Sequence, residues 1–511
     1  MNRNLDIQFI AVNEVWRYGN IGIDQLAGYL RSKDFKINLN YFGKKSTIDS
    51  IFNKIETSCD VYGFSVTTAN YKRCCGVTAK IKSVTPSALV FFGGGLVSRY
   101  YREILAENPL LDYCILGDGE IPTEQLLNAI QDGTVLNFTH PSVASQRDFE
   151  NKRIQINTEI PREPAYDYYI SDSRARNSRK THCIQSKNNI CTGNCTFCTE
   201  RHGRISYRDI DVLVCQIRHV YENYGVRKFF FTDDNLLDPN DDVAKQRVLD
   251  LCCRIKELHI PIALQCYIKA NSLKNDASDH ELLKIMHDAG FVEIFVGIES
   301  GNQRDLDLYN KKTTVEDNHR TISMLRQHGI FPLLGFISFN PYSTLDSISL
   351  NFRFLCDHQC TFLFNYLYSF VIINKYTEMY QKIKRDGLLL SPESQYLNVQ
   401  YSYAHPECTE ILDYVRNIMV PRLNALDYHL DWVTYSYLEH KIWYSQTPDY
   451  GNRLQELKRI NLDVIHRHLS ILFVEHDLKK FIDGAEQFWR HFEDLEPELE
   501  NIYSSLVALH D

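Results

Sequence analysis

Cys191-Thr192-Gly193-Asn194-Cys195-Thr196-Phe197-Cys198 puts three cysteines within eight residues, separated by three residues and then by two. Gly193 and Asn194 mark the stretch as a loop. A loop of this length can wrap a cubane iron–sulfur cluster so that each thiolate reaches a different iron. Three protein ligands leave the fourth iron open, and an open metal position can chelate a substrate. Two other readings stay open on spacing alone. A zinc knuckle would need a fourth ligand, for which His202 is near enough. Three inert buried thiols would give the same pattern.

Downstream of the loop, apolar runs recur at Lys228–Thr232, Ile262–Tyr267, Val292–Gly297, Phe331–Phe339 and Phe362–Tyr368. Helical spacing lies between them, as in Ile210, Leu213, Val214, Ile217 and Val220. With an opening strand near His182, this predicts six βα units and a partial (βα)6 barrel over residues 181–375. A closed eight-stranded barrel would need more chain.

Upstream, residues 1–135 alternate in the same way, with apolar runs at Asp6–Val12, Ile37–Phe42, Val61–Val66, Ala88–Phe92 and Tyr113–Leu116. Strands separated by helices imply a parallel sheet covered on both faces, with its ligand beyond the carboxyl ends of the strands. Gly63-Phe64-Ser65, Gly93-Gly94-Gly95 and Gly117-Asp118-Gly119-Glu120 fall at or near those ends. Residues 136–180, punctuated by Pro141, Pro161 and Pro164, read as a connector. Residues 376–511 read as a helical C-terminal domain, with helical patterns over Glu410–Val433 and Leu454–Val507 and a break or kink at Pro421. The fold class is therefore α/β, with a Rossmann-like domain, a partial barrel and a helical C-terminal domain.

Bulk properties narrow the function. The chain has 511 residues, 44% of them hydrophobic and 24% charged, as expected of a folded globular protein. A net charge of -9 disfavours a nucleic-acid partner. No apolar run reaches the ~18 residues that span a bilayer, and Met1–Val12 does not read as a secretory leader. Fifteen cysteines, an odd number, suit thiols and metal ligands in a reducing cytoplasm better than a disulfide framework.

The cysteine loop resembles the signature of the radical S-adenosylmethionine (SAM) superfamily, Cys-x3-Cys-x2-Cys at the head of a partial barrel. The resemblance implies that Cys191, Cys195 and Cys198 hold a 4Fe-4S cluster and that the backbone of Phe197 contacts adenine. It extends to Phe229-Phe230-Phe231-Thr232-Asp233-Asp234-Asn235, similar to the second strand of the family. Gly297-Ile298-Glu299-Ser300-Gly301 is similar to its fourth-strand motif, implying that Gly297, Glu299 and Ser300 hold the methionine and ribose of SAM. Gly335-Phe336-Ile337 is similar to the fifth-strand adenine contact, implicating Gly335 and Ile337. Lys269 stands where relatives often have arginine. The segment Ser186-Lys187-Asn188-Asn189-Ile190 departs from the basic residue and glycine common before the first cysteine.

Residues 1–135 resemble the cobalamin-binding domain found ahead of many such barrels, implying contacts from Gly63, Ser65, Gly93, Gly94, Gly95, Gly117 and Glu120. Glycine suits this role because it lets backbone approach a bulky corrin. No Asp-x-His-x-x-Gly motif supplies a histidine to cobalt. The resemblance implies three cofactors: a 4Fe-4S cluster, SAM and cobalamin. It also implies an electron donor such as flavodoxin or ferredoxin, and a small-molecule or peptide substrate whose unactivated carbon is methylated. Other radical rearrangements or cyclisation, a methylthiotransferase, and a non-catalytic iron–sulfur scaffold are the alternatives. Cys59, Cys74, Cys75 and Cys114 are poorly spaced for the second cluster of a methylthiotransferase. Cys356 and Cys360 read as core thiols, and His182, His202, His358 and His405 as structural. Tyr403, Tyr414 and Tyr428 could line a substrate pocket.

Overall fold

The computed structural model describes the chain apart from residues 1–4, 13–17, 157–162, 171, 189, 200–202, 361–364, 393, 424–462, 465 and 509–511. Two compact units emerge. The first comprises Met1–Asn188 and Ser206–Thr232, and the second Asn189–Ile205 and Asp233–Asp511.

In the first unit, β1 (Ile7–Val12), β2 (Ile37–Phe42), β3 (Val61–Ser65), β4 (Leu89–Gly93), β5 (Tyr113–Ile115) and β6 (Val143–Ser145) form one sheet in the order β2-β1-β3-β4-β5-β6. All neighbours are parallel except β5 and β6. The strand order reverses between β1 and β3, which puts the ligand crevice of such a sheet at their carboxyl ends. Asn70 ties those ends together: its Nδ2 donates to the carbonyls of Val12 and Ser65, each at 3.0 Å. Phe9, Val61, Phe91 and Ile115 build the core under the helices Ile21–Arg31 and Glu120–Gln131. β6 falls within the stretch expected to be irregular, because three residues are too few to show a two-residue period. Two further strands, β7 (Thr181–Ile184) and β8 (Lys228–Phe231), pair in parallel. His182 on β7 is a buried structural side chain, as its lone position suggested. Its Nδ1 lies 2.9 Å from the Tyr169 hydroxyl and its Nε2 2.8 Å from Gln216 Nε2, and burial, with Arg208 nearby, pushes it down to about 3.

In the second unit, β9 (Ala263–Lys269), β10 (Phe291–Glu299) and β11 (Phe331–Phe336) are parallel, with β10 in the middle. The capped helices Ala277–Asp288, Val315–Gln327 and Leu345–Asp357 alternate with them along the chain. Of the run Phe362–Tyr368, where the sixth strand is expected, residues 362–364 lie outside the described residues. Asn365–Tyr368 is one helical turn, and strand-like pairing comes just after it, where Ser369 and Phe370 meet Ser338 and Phe339. An aromatic run serves either conformation, so hydrophobicity alone misplaced this element. Beyond it the described C-terminal residues are largely helical, including Leu478–Ala508. Pro421 does not break its helix. A π-helical turn, Val415–Met419, precedes it and helix continues through residues 420–423. Proline cannot donate to the carbonyl four residues back, and the widened turn accommodates that loss. No helix among the described residues is long and apolar enough to cross a membrane.

Two outcomes are expected from the first unit. A Cβ on Gly63 would lie 2.4 Å from the ring of Phe91 and 2.8 Å from that of Phe9, whereas one on Gly95 would meet nothing within 4 Å. Gly63→Ala should therefore cost about 1–3 kcal/mol in urea unfolding, and Gly95→Ala close to nothing. Asp24 is buried. Burial, against the hydrogen bond donated by the Tyr41 hydroxyl at 2.5 Å, pushes its carboxyl up from 3.8 to about 8. The folded chain then holds a proton that the unfolded chain releases above pH 3.8, so stability should fall as pH rises from about 4 to about 8. Asp24→Asn should flatten that slope in urea midpoints measured across the range.

Candidate active site

The cysteine loop is pinned by a buried carboxylate. Asp238 accepts from the backbone N–H of Thr192 at 3.1 Å, from the Thr192 hydroxyl at 2.5 Å and from Asn235 Nδ2 at 2.9 Å. Lys269, the last residue of β9, reaches Asp238 at 3.1 Å and the Thr192 hydroxyl at 2.9 Å. Burial alone would raise the Asp238 carboxyl, but Thr192 and Lys269 outweigh it and hold the group below the usual carboxylate range. The far end of the loop is tied elsewhere. Thr196 N–H donates to the Tyr309 carbonyl at 3.0 Å, and Met379 N–H donates to the Thr196 carbonyl at 2.8 Å. Phe197 stands edge-on to the Tyr309 ring, with centroids 5.3 Å apart. The loop thus sits at the carboxyl end of β9.

Cys191 and Cys195 are half-buried and Cys198 is exposed. Burial pushes the Cys191 and Cys195 thiols up, while Lys269 pulls Cys191 down and Lys311 pulls Cys195 down. Gly193 N–H donates to Cys191 Sγ at 3.3 Å. A side chain at position 193 would crowd both Cys191 Sγ and Lys269. Three soft thiolate donors, a backbone donor to sulfur and two flanking ammonium groups suit an anionic iron–sulfur cluster. Among the described residues no three or more His, Cys, Asp or Glu gather as a single metal ion would require. His202, the fourth ligand a zinc site would need, lies outside the described residues.

Glu299, the last residue of β10, comes to the same place. Its φ is 64°, in the left-handed region, and the β10–β11 register shifts between Gly297 and Glu299. A bulge that re-aims a side chain at strained backbone is a frequent feature of functional sites. Glu299 Oε1 lies 2.6 Å from Lys311 Nζ. Burial works against the Lys311 charge, but Glu299, with Cys195 and Cys198 nearby, holds the ammonium above its ordinary range. Gly297 and Gly335 lie side by side on β10 and β11. A Cβ at Gly297 would stand 2.6 Å from Lys311 Nζ, and one at Gly335 2.7 Å from the Phe295 ring. Ser300 is fully buried, its hydroxyl 2.7 Å from Asn351 Oδ1 and 3.1 Å from Asp305 Oδ2, so it braces the motif from behind. The N–H of Ile337 is committed to the Glu299 carbonyl at 2.8 Å. Lys311, Asp238 and Tyr309 carry no motif and escaped the sequence reading. The acid at the end of β10, followed twelve residues later by the pair Lys311-Lys312, was the only trace of Lys311.

At the carboxyl edge of the first unit's sheet the expected glycines part company. Gly63 is enclosed by Phe9 and Phe91, so core packing alone accounts for the glycine there. Gly94 has φ 119° and passes Val66 O, where a Cβ would be 2.7 Å away. Gly117 has φ 86° and closes on Gln155 O. Gly95 faces open space and Gly93 nearly so. Ser65 Oγ donates to Asn20 Oδ1 at 2.9 Å, and Glu120 is buried in the first turn of its helix.

Residues 15–127 match the B12 binding domain family and residues 186–355 the Radical SAM superfamily. An uncharacterized methyltransferase of Pyrococcus horikoshii is 22% identical over 316 residues, 60% of this chain and 66% of that protein. An anaerobic magnesium-protoporphyrin IX monomethyl ester cyclase of Cereibacter sphaeroides is 27% identical over 289 residues, 54% of this chain and 46% of that protein. The chain thus spans about half to two thirds of the length of these curated relatives. The structure of the cobalamin-dependent S-adenosylmethionine radical enzyme OxsB, with aqua-cobalamin and S-adenosylmethionine bound, has the same fold. Its TM-score is 0.74 at 16% identity, covering 99% of this chain and 79% of that one.

The Glu299–Lys311 pair is nearly enclosed, with side chains 13% and 8% exposed. Lys311→Met should strand the carboxylate and cost about 3 kcal/mol in urea unfolding. Adding Glu299→Gln should recover most of that loss.

Proposed function

We propose that this chain, a member of the radical SAM superfamily with a B12-binding domain ahead of its radical SAM domain, is a cobalamin-dependent enzyme that methylates an unactivated carbon of a small-molecule or peptide substrate. The observation that carries this reading is the cysteine loop held at the carboxyl end of β9 beside Glu299 and two lysines. Cys191, Cys195 and Cys198 would hold a 4Fe-4S cluster. Glu299 would receive the methionine amino group through the oxygen not taken by Lys311. Gly297 and Gly335 keep the strand edges low enough for the nucleoside, and Phe197, braced by Tyr309, would offer backbone to adenine. In the first unit Ser65, Gly93, Gly94, Gly95, Gly117 and Glu120 would line the corrinoid site. When bound, the cluster and SAM supply an electron and a carbon radical that takes a hydrogen atom, and the corrinoid supplies the methyl group.

The chain's own contribution is rigidity and charge. Lys269 and Lys311 would offset the negative charge of a thiolate-ligated cluster. The anchored loop allows little drift, which matters because a misplacement of ~1 Å can cost about a hundredfold in rate. A reduced flavodoxin or ferredoxin would donate electrons, and the setting would be cytoplasmic. Ring closure is a second reading, favoured by the likeness to the cyclase.

Protein isolated without oxygen, reconstituted and supplied with SAM and dithionite should release 5′-deoxyadenosine, and Cys195→Ala should not. The visible spectrum should show a bound corrinoid after incubation with hydroxocobalamin, and label from methyl-deuterated SAM should reach the product. Full cluster occupancy without SAM cleavage would overturn the enzymatic reading. Cleavage without any label transfer would favour ring closure.

A further inference from the structure

Arg416 makes no ion pair with any carboxylate among the described residues, yet it is held in a built setting. Its guanidinium lies 4.3 Å from the ring centre of Phe370, 5.0 Å from Tyr401 and 5.4 Å from Tyr403. It belongs to the π-helical turn Val415–Met419, where one extra residue per turn re-aims the side chain. Tyr401 and Tyr403 are both buried and stand edge to face at 6.2 Å. The Tyr401 hydroxyl donates to the Val371 carbonyl at 3.1 Å, and burial pushes it up against the pull of Arg416. Tyr403 is 9% exposed, and its hydroxyl finds no hydrogen-bond partner among the described residues. Asp413, one turn earlier on the helix, is exposed and acts electrostatically on Tyr403.

The setting shares a face with the cysteine loop. Phe370 pairs with Phe339, three residues beyond the end of β11, with ring centroids 5.0 Å apart. Tyr309, which abuts Phe197 of the loop, also lies within electrostatic reach of Tyr401.

A guanidinium stacked on rings keeps its N–H donors in its own plane, and among the described residues at most a minority of the five are used. A buried hydroxyl with nothing to bond carries a desolvation cost that a ligand would relieve. A cationic fork and an unused O–H donor, set among water-excluding rings, suit a group with several negative oxygens. We propose that Arg416 and Tyr403 form the binding site for an oxyanion group of the substrate, phosphoryl or carboxylate, on the same face as the cysteine loop. This assignment rests on the enzymatic reading above and names the substrate class.

Calorimetric titration of the full-length reconstituted protein with pyrophosphate, inorganic phosphate and acetate tests it. At least one of these anions should bind. Stronger binding of the phosphates marks a phosphoryl substrate, and stronger binding of acetate a carboxylate one. Arg416→Gln should weaken binding at least about tenfold and Tyr403→Phe about threefold, while Arg416→Lys should retain part of it. A purely structural peg would alter stability without changing anion affinity. Should Arg416→Gln fail to fold, protection of wild-type Arg416 from phenylglyoxal by the tightest-binding of the three anions, read by mass spectrometry, gives the same answer. Unchanged affinity in a folded Arg416→Gln, no binding of any of the three anions, or no protection overturns the proposal. Wild-type SAM cleavage is measured alongside. Intact cleavage without anion binding sinks this inference alone, whereas lost cleavage sinks the enzymatic reading.

Discussion

The buried carboxylate of Asp238 fixes where the cysteine loop sits. A charge enclosed in protein must be matched by donors or it destabilises the fold. Here the donors are the backbone and hydroxyl of Thr192, the amide of Asn235 and the ammonium of Lys269. Satisfying Asp238 therefore fastens the cysteine loop to the end of β9. Three thiols on a free loop would bind iron in many ways. Three thiols on a loop whose second residue is locked can present one arrangement.

The same economy governs the neighbouring charges. Lys311 stays charged in a nearly closed site because Glu299 and the cysteines face it. Glu299 in turn occupies a left-handed backbone conformation that β10 alone would not favour. The bulge at Gly297, and the bond from Ile337 N–H to the Glu299 carbonyl, hold it there. Ser300, Asp305 and Asn351 form the buried polar support behind it. Burial raises the Asp305 carboxyl even against those hydrogen bonds, as expected of a group deep in packed protein. Strain at one residue is borne by a network around it.

In the first unit the glycines teach how residue type and role separate. Gly63, Gly93, Gly94, Gly95 and Gly117 look alike in sequence, all near strand ends. Their reasons differ: two aromatic rings at Gly63, a passing carbonyl at Gly94, a paired backbone at Gly117, and open space at Gly95. Glycine signals that something comes close or that a turn is needed, and only neighbours from distant parts of the chain say which.

The amino-acid sequence by itself determined the alternation of strands and helices, the parallel sheets, the cysteine loop and the strand-end motifs. These rest on local periodicity and spacing, which a chain carries along its own length. Tertiary structure decided the rest. It put Lys311 beside Glu299, Asp238 under Thr192, and Arg416 among Phe370, Tyr401 and Tyr403. It also made Asn365–Tyr368 a helical turn followed by the strand-like pairing. Each of those outcomes depends on which side chains meet across dozens of residues, and no local pattern encodes a meeting of that kind.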